Sequence, residues 1–144
     1  MEQKTLLQQV YKQGVALGAC SGFTEAANIE QIVEMLFSPQ GVEFCLNYRF
    51  PALNVFRQFK QLDNVERLGV FIDCGDITLT DPQRAFLIGN TRANVNYTAT
   101  QGNVLYLMHG AKASVTAGGY SVTHIEKDKT SSYTVNKVDN AEVL

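Results

Sequence analysis

The chain has 144 residues, 45% hydrophobic and 18% charged, and its 12 basic and 14 acidic side chains leave a net charge of −2. That length fits one domain, or a small helical head on a repeat body, and buries roughly 68–70% of its unfolded surface. The composition excludes disordered and fibrous classes, and the lack of a basic excess argues against nucleic-acid binding. The N-terminal run Met1–Leu7 has no charged region followed by an apolar one, so it does not read as a signal peptide. No stretch approaches the roughly 18 apolar residues of a membrane span. Cys20, Cys45 and Cys74 are widely spaced with no Cys-x-x-Cys pair. They read as buried free thiols in a reducing, cytoplasmic setting.

In chain order, residues 1–62 read as a helical head. Leu6, Val10 and Leu17, with Leu7 and Tyr11 beside them, mark a first helix ending near Gly18. Asn28 is an N-cap with Gln31 three residues on, and Ile29, Ile32, Val33, Leu36 and Phe37 form one buried stripe. Ser38-Pro39 starts a third helix carrying Val42, Cys45 and Leu46. Phe50-Pro51 starts a fourth carrying Leu53, Phe56 and Phe59. The aromatic residues Phe37, Phe44, Tyr48, Phe50, Phe56 and Phe59 sit mostly at helical spacing, so they read as core rather than as a ligand cage. Residues 63–69 read as a polar neck.

From residue 70 the hydrophobic period falls to two, and residues 70–144 read as a repeat body. Residues 85–95 align with residues 105–115, aromatic on aromatic and Val on Val. A period near 20 of β character points to stacked coils. Coil one matches at an offset of 15 to 16. Coil four is placed at an offset of 18, with Ile125 under Leu107 and Tyr133 under Val115. The predicted fold is α+β: three or four short helices packed on a β-solenoid of three to four irregular coils. Ala93, Val95, Ala113 and Val115 alternate with Arg92, Asn94, Lys112 and Ser114, which sets a small-residue interior against a polar exterior. In the preceding strands Phe71, Phe86, Ile88, Tyr106 and Met108 are expected to point outward. An apolar stripe of that size needs a cover, either the helical head or a partner.

Catalytic and metal motifs are absent from the pattern. His109 and His124 fall at non-equivalent places in neighbouring coils, with no clustered ligands beside them. Asp73 and Asp76, flanking Gly75 beside Cys74, read as turn chemistry, and Gly118-Gly119 reads as a corner. The six-residue aliphatic recurrence of hexapeptide acyltransferases fails, because Asn94 follows Ile88 and Ser114 follows Met108 at that step.

The segment Gly41-Val42-Glu43-Phe44-Cys45-Leu46-Asn47-Tyr48-Arg49-Phe50-Pro51 resembles a stretch in small uncharacterised bacterial and prophage-encoded proteins with a helical head and irregular β-repeats. The repeat body is similar, in architecture only, to bactofilins, cytoskeletal proteins that polymerise end to end, although their regular repeats are not matched here. These resemblances carry no catalytic residue. The expectation is therefore a non-enzymatic structural or assembly protein. It needs no cofactor or metal, binds neither nucleic acid nor membrane, and pairs with itself or another protein through Phe71, Phe86, Ile88, Tyr106 and Met108. The alternative is a glycan-binding module using the same outward aromatic residues.

Overall fold

Local capping decides where the first helices begin. The computed structural model describes residues 3–19 and 22–144, so the reading of Cys20 lies outside the described residues. The chain divides into two compact units, Met1–Leu68 and Gly69–Leu144. In the first, α1 spans Gln3–Ala16, α2 Ile29–Phe37, α3 Pro39–Tyr48 and α4 Leu53–Leu62. The Asn28 side chain accepts a hydrogen bond from the Gln31 amide at 2.8 Å, and the Gln31 side chain accepts one from the Ala27 amide at 2.8 Å. These two bonds satisfy backbone donors that no helical carbonyl can reach. Ser38 caps α3 by accepting from Gly41 N at 3.1 Å, with Pro39 in the first turn.

The stripe Ile29, Ile32, Val33, Leu36, Phe37 is buried throughout, as its spacing requires. Two other stripes differ from expectation. On α1 the buried positions are Leu6, Leu7, Val10 and Gly14, while Leu17 is exposed. Gly14 is a packing surface: a Cβ there would stand 2.5 Å from the Phe23 ring. On α4, Val55 is buried with Phe56 and Phe59, while Leu53 is half-buried.

Residues 63–68 of the polar stretch after α4 lie within the first unit. Val65–Leu68 forms a 3-10 turn with Val65 buried, and Arg67 pairs with Asp63 at 2.9 Å and with Glu30 at 3.7 Å. Those contacts tie residues 63–68 to the helices.

The second unit is a β-solenoid of about four turns, built from parallel strands that alternate between two sheets. These are β1 (Val70–Ile72), β2 (Gly75–Thr80), β3 (Arg84–Ile88), β4 (Thr91–Tyr97), β5 (Gly102–Met108), β6 (Lys112–Ala117), β7 (Val122–Lys127), β8 (Ser132–Lys137) and β9 (Glu142–Val143). One sheet runs β1-β3-β5-β7-β9 and the other β2-β4-β6-β8. Each strand pairs with the strand one full coil away, so every side chain stacks on its counterpart above and below.

The register supports the aligned pair, with Phe86 on Tyr106, Ala93 on Ala113 and Val95 on Val115. The first coil sits sixteen residues back, with Val70 on Phe86 and Gly75 on Thr91. The fourth coil corrects the expected offset. Ile125 lies under Leu105, Tyr133 under Ala113 and Val135 under Val115, so the twenty-residue step continues and the offset of 18 fails.

The interior holds Leu87, Val95, Leu105, Leu107, Val115 and Ile125 in one buried cluster. Tyr97 is fully buried at the end of β4, opposite Ala117, so one large ring fills the space that a small residue leaves. Among the described residues its hydroxyl has no hydrogen-bond partner.

Burial predicts how the interior responds to truncation. Leu107→Ala should cost roughly 2–5 kcal/mol, because the close-packed coil cannot collapse into the space. Val135→Ala, at a position 39% exposed, should cost less than about 1 kcal/mol. Urea unfolding of both variants checks the contrast, and equal losses would contradict the interior described here.

Candidate functional site

The residues offered as an interaction surface divide. Phe86 and Tyr106 meet edge to face, with ring centroids 5.9 Å apart, and Ile88 stacks on Met108. Phe71 does not join them. The sixteen-residue step places Phe71 opposite Leu87, and it packs against the interior cluster instead. Its neighbours Val70 and Ile72 take the outward row that Phe71 was expected to fill. Phe86, Ile88, Tyr106 and Met108 are all buried, so this sheet presents no exposed aromatic ladder. The outward row also changes character in the fourth coil, where Glu126 follows Tyr106. Burial, and then the Glu126 carboxylate, raise the Tyr106 phenol above its ordinary pKa.

The helical aromatic set divides as well. Phe37, Phe50, Phe56 and Phe59 are buried, while Tyr48 is exposed. Phe44 and Phe50, 5.7 Å apart, line a cavity of about 270 Å³ with Phe23, Met35 and Cys45. That volume lies just below the usual range of ligand pockets, roughly 300–1,000 Å³. Desolvation pushes the Cys45 thiol up to about 12, which keeps it protonated and unreactive.

Aspartates stand at four corners of the solenoid. At Asp73 the carboxylate accepts from Asn90 N at 2.8 Å, in the next coil. Asp81 accepts from Thr98 N at 2.7 Å and Ala99 N at 3.0 Å, and Asp139 accepts from Gly119 N at 3.2 Å. Asp128, 2% exposed, accepts from His109 N at 2.8 Å in the previous coil. Its other oxygen accepts from Thr130 N and Ser131 N, each at 3.0 Å, and from both hydroxyls at 2.8 Å. Burial alone would raise the Asp128 pKa, but these five donors outweigh it and hold the carboxylate below the usual range. The amides of Ala99 and Thr98 do the same for Asp81.

Asp73 and Asp76 therefore do not form a shared site. Asp73 caps a corner, while Asp76 lies on the sheet surface beside Arg92, 3.5 Å away. His109 takes a left-handed corner conformation, φ 58°, and His124 meets Glu126 at 3.1 Å on β7. Among the described residues no three His, Cys, Asp or Glu side chains stand close enough to hold a metal ion.

The outward face of β2-β4-β6-β8 was read only as a polar exterior. Its register builds two rows, Thr78-Asn94-Ser114-Thr134 and Thr80-Asn96-Thr116-Asn136. Beside them runs the row Asp76-Arg92-Lys112-Ser132. A shallow groove of about 490 Å³ crosses the face from Asp76 to Thr134. The sequence signal was present in Thr-Leu-Thr, Asn-Val-Asn, Ser-Val-Thr and Thr-Val-Asn, each centred on an inward aliphatic residue.

No family model, curated protein or solved structure matches this chain. Among the described residues no helix is long and apolar enough to cross a membrane.

The corner carboxylates set an acid response. A carboxylate whose pKa is depressed on folding stabilises the fold above its unfolded pKa of about 3.9, and that stabilisation is lost as pH falls through the folded value. Stability should therefore be flat from neutral pH to about 5 and fall below about 4. Asp128→Asn should lower stability at pH 7 and flatten the acid limb. Thermal unfolding against pH reads this, and an unchanged acid limb in Asp128→Asn would count against the assignment.

Proposed function

We propose that this protein is a non-enzymatic structural or assembly component that associates with further copies of itself through the open end of its coil stack. One observation carries the reading. Within a single interior column, Val95 is fully buried, Val115 is 1% exposed and Val135 is 39% exposed. Among the described residues strand β8 has β6 on one side and no strand on the other.

An unpaired strand edge is a template for another chain, and natural edges are guarded by proline, charge or bulges. Ser132–Asn136 carries neither proline nor charge, and Lys137 guards only its end. The run Tyr133-Thr134-Val135 has high β propensity. Val135, Val138 and Leu144 are exposed at this end.

The chemistry of the corners supports the non-enzymatic part, since the Asp73, Asp81 and Asp128 carboxylates are committed to turn amides. Free Cys45 and Cys74 fit a reducing, cytoplasmic setting. The resemblance of the Gly41–Pro51 segment to prophage-encoded proteins agrees with an assembly role.

Sedimentation velocity over a wide concentration range tests this reading. The expected outcome is concentration-dependent association that Val135→Lys abolishes while the unfolding midpoint stays within a few degrees. A strict monomer at every concentration would overturn the reading.

A further inference from the structure

We propose that the outward face of the β2-β4-β6-β8 sheet binds a linear acidic polysaccharide, held by the small polar side chains of the Asn94-Ser114-Thr134 row and by Lys112. This goes beyond the assembly reading and does not depend on it.

The two rows differ from the other small polar residues of the solenoid. Thr91, Asn103, Ser121, Thr130 and Ser131 all spend their side chains inside the protein, on neighbouring carbonyls, hydroxyls or Asp128. The rows centred on Asn94-Ser114 and Asn96-Thr116 lie on the outward side of the parallel sheet and, among the described residues, show no such bond. They repeat at about 4.8 Å from strand to strand and about 6.6 Å along each strand. A β-sheet surface in water ordinarily carries Lys, Glu and Arg among its polar positions. Here eight successive positions are Thr, Asn or Ser. Short side chains with few rotamers lose little entropy on contact, and hydroxyl and amide groups both donate and accept.

The ligand that suits this lattice is one that repeats in one dimension and carries hydroxyls along its length. The groove crosses all four strands along the Asn94-Ser114-Thr134 row and the adjoining Arg92-Lys112-Ser132 row, so an extended chain would lie along the coil axis and meet one side chain of each row per coil. Charge settles the class of polymer. Arg92 pairs with Asp76 at 3.5 Å, while Lys112, in the middle of the groove, has no ion-pair partner among the described residues. A carboxylate on the polymer would complete that position. One unpaired cation is too few to hold a nucleic acid backbone, whose binding rests on several neutralised phosphates.

The test uses the full chain with polygalacturonate, alginate and hyaluronate as probes, methyl-esterified polygalacturonate as the neutral counterpart and inorganic polyphosphate as the charge control. Titration calorimetry should show binding to at least one acidic polysaccharide. The double variant Asn94→Val, Ser114→Val should weaken binding by about tenfold or more. Lys112→Gln should remove the preference for free acid over ester. These substitutions lie away from the β8 edge, so sedimentation behaviour should not move with them, and the two readings fail separately. The inference is overturned if none of the three polysaccharides binds, if the double variant binds as the parent does, or if polyphosphate binds equally well.

Discussion

Everything in the repeat unit depends on a parallel backbone ladder that must turn a corner every ten residues. At Met108–Ala111, Gly118–Ser121, Asp128–Ser131 and Val138–Ala141 the fourth amide donates to the first carbonyl at 3.3–3.4 Å. The fourth residue is always small and buried: Ala111, Ser121, Ser131 and Ala141. A larger side chain there would enter the interior where two strands meet. The second residue is left-handed in three of these corners, at His109, Gly119 and Asp139. At Gly119 a Cβ would stand 2.6 Å from Thr98 O, so the corner also needs the close approach that only glycine allows. The Asp128 corner has no left-handed residue at its second position. There the Asp128 side chain organises the turn by accepting from the following amides, the familiar local chemistry of aspartate.

The corners determine what each face can do. Because the strands stack in register, a single residue type chosen at one position becomes a row. The inward positions give an aliphatic column, and the outward positions of one sheet give rows of Thr, Asn and Ser. The outward row of the other sheet is apolar through Phe86 and Tyr106 and then polar at Glu126. Among the described residues β8, at the end of its sheet, is paired with a strand on one side alone. In a closed barrel that edge would not exist, whereas a stack of coils always has one at each end.

Much of this was legible because stacking imposes a period. The 85–95 and 105–115 alignment gave the correct register, and the alternation of Ala93-Val95 and Ala113-Val115 gave the correct faces. The fourth coil was misaligned because only whole coils were compared. The ten-residue unit is clearer, since Leu105, Val115, Ile125 and Val135 occupy one place in successive strands. That spacing excludes an offset of 18. Phe71 was misassigned because a step of 15 would set it on Phe86, whereas the actual step of 16 sets it on Leu87, and a one-residue slip sends a side chain to the opposite face. In the helical unit, caps were readable from Asn28 and Ser38. Gly14 was not, because its role lies in the approach of Phe23 from a distant segment. The polar rows were visible residue by residue, but their meaning as a surface needed the register.

The open edge of β8 is most directly tested by hydrogen exchange as a function of protein concentration. In dilute solution the segment Ser132–Lys137 should exchange faster than Lys112–Ala117, which is paired on both sides. On raising the concentration, protection should appear in Ser132–Lys137 first. Exchange in that segment that is fast and unchanged at every concentration would contradict the account.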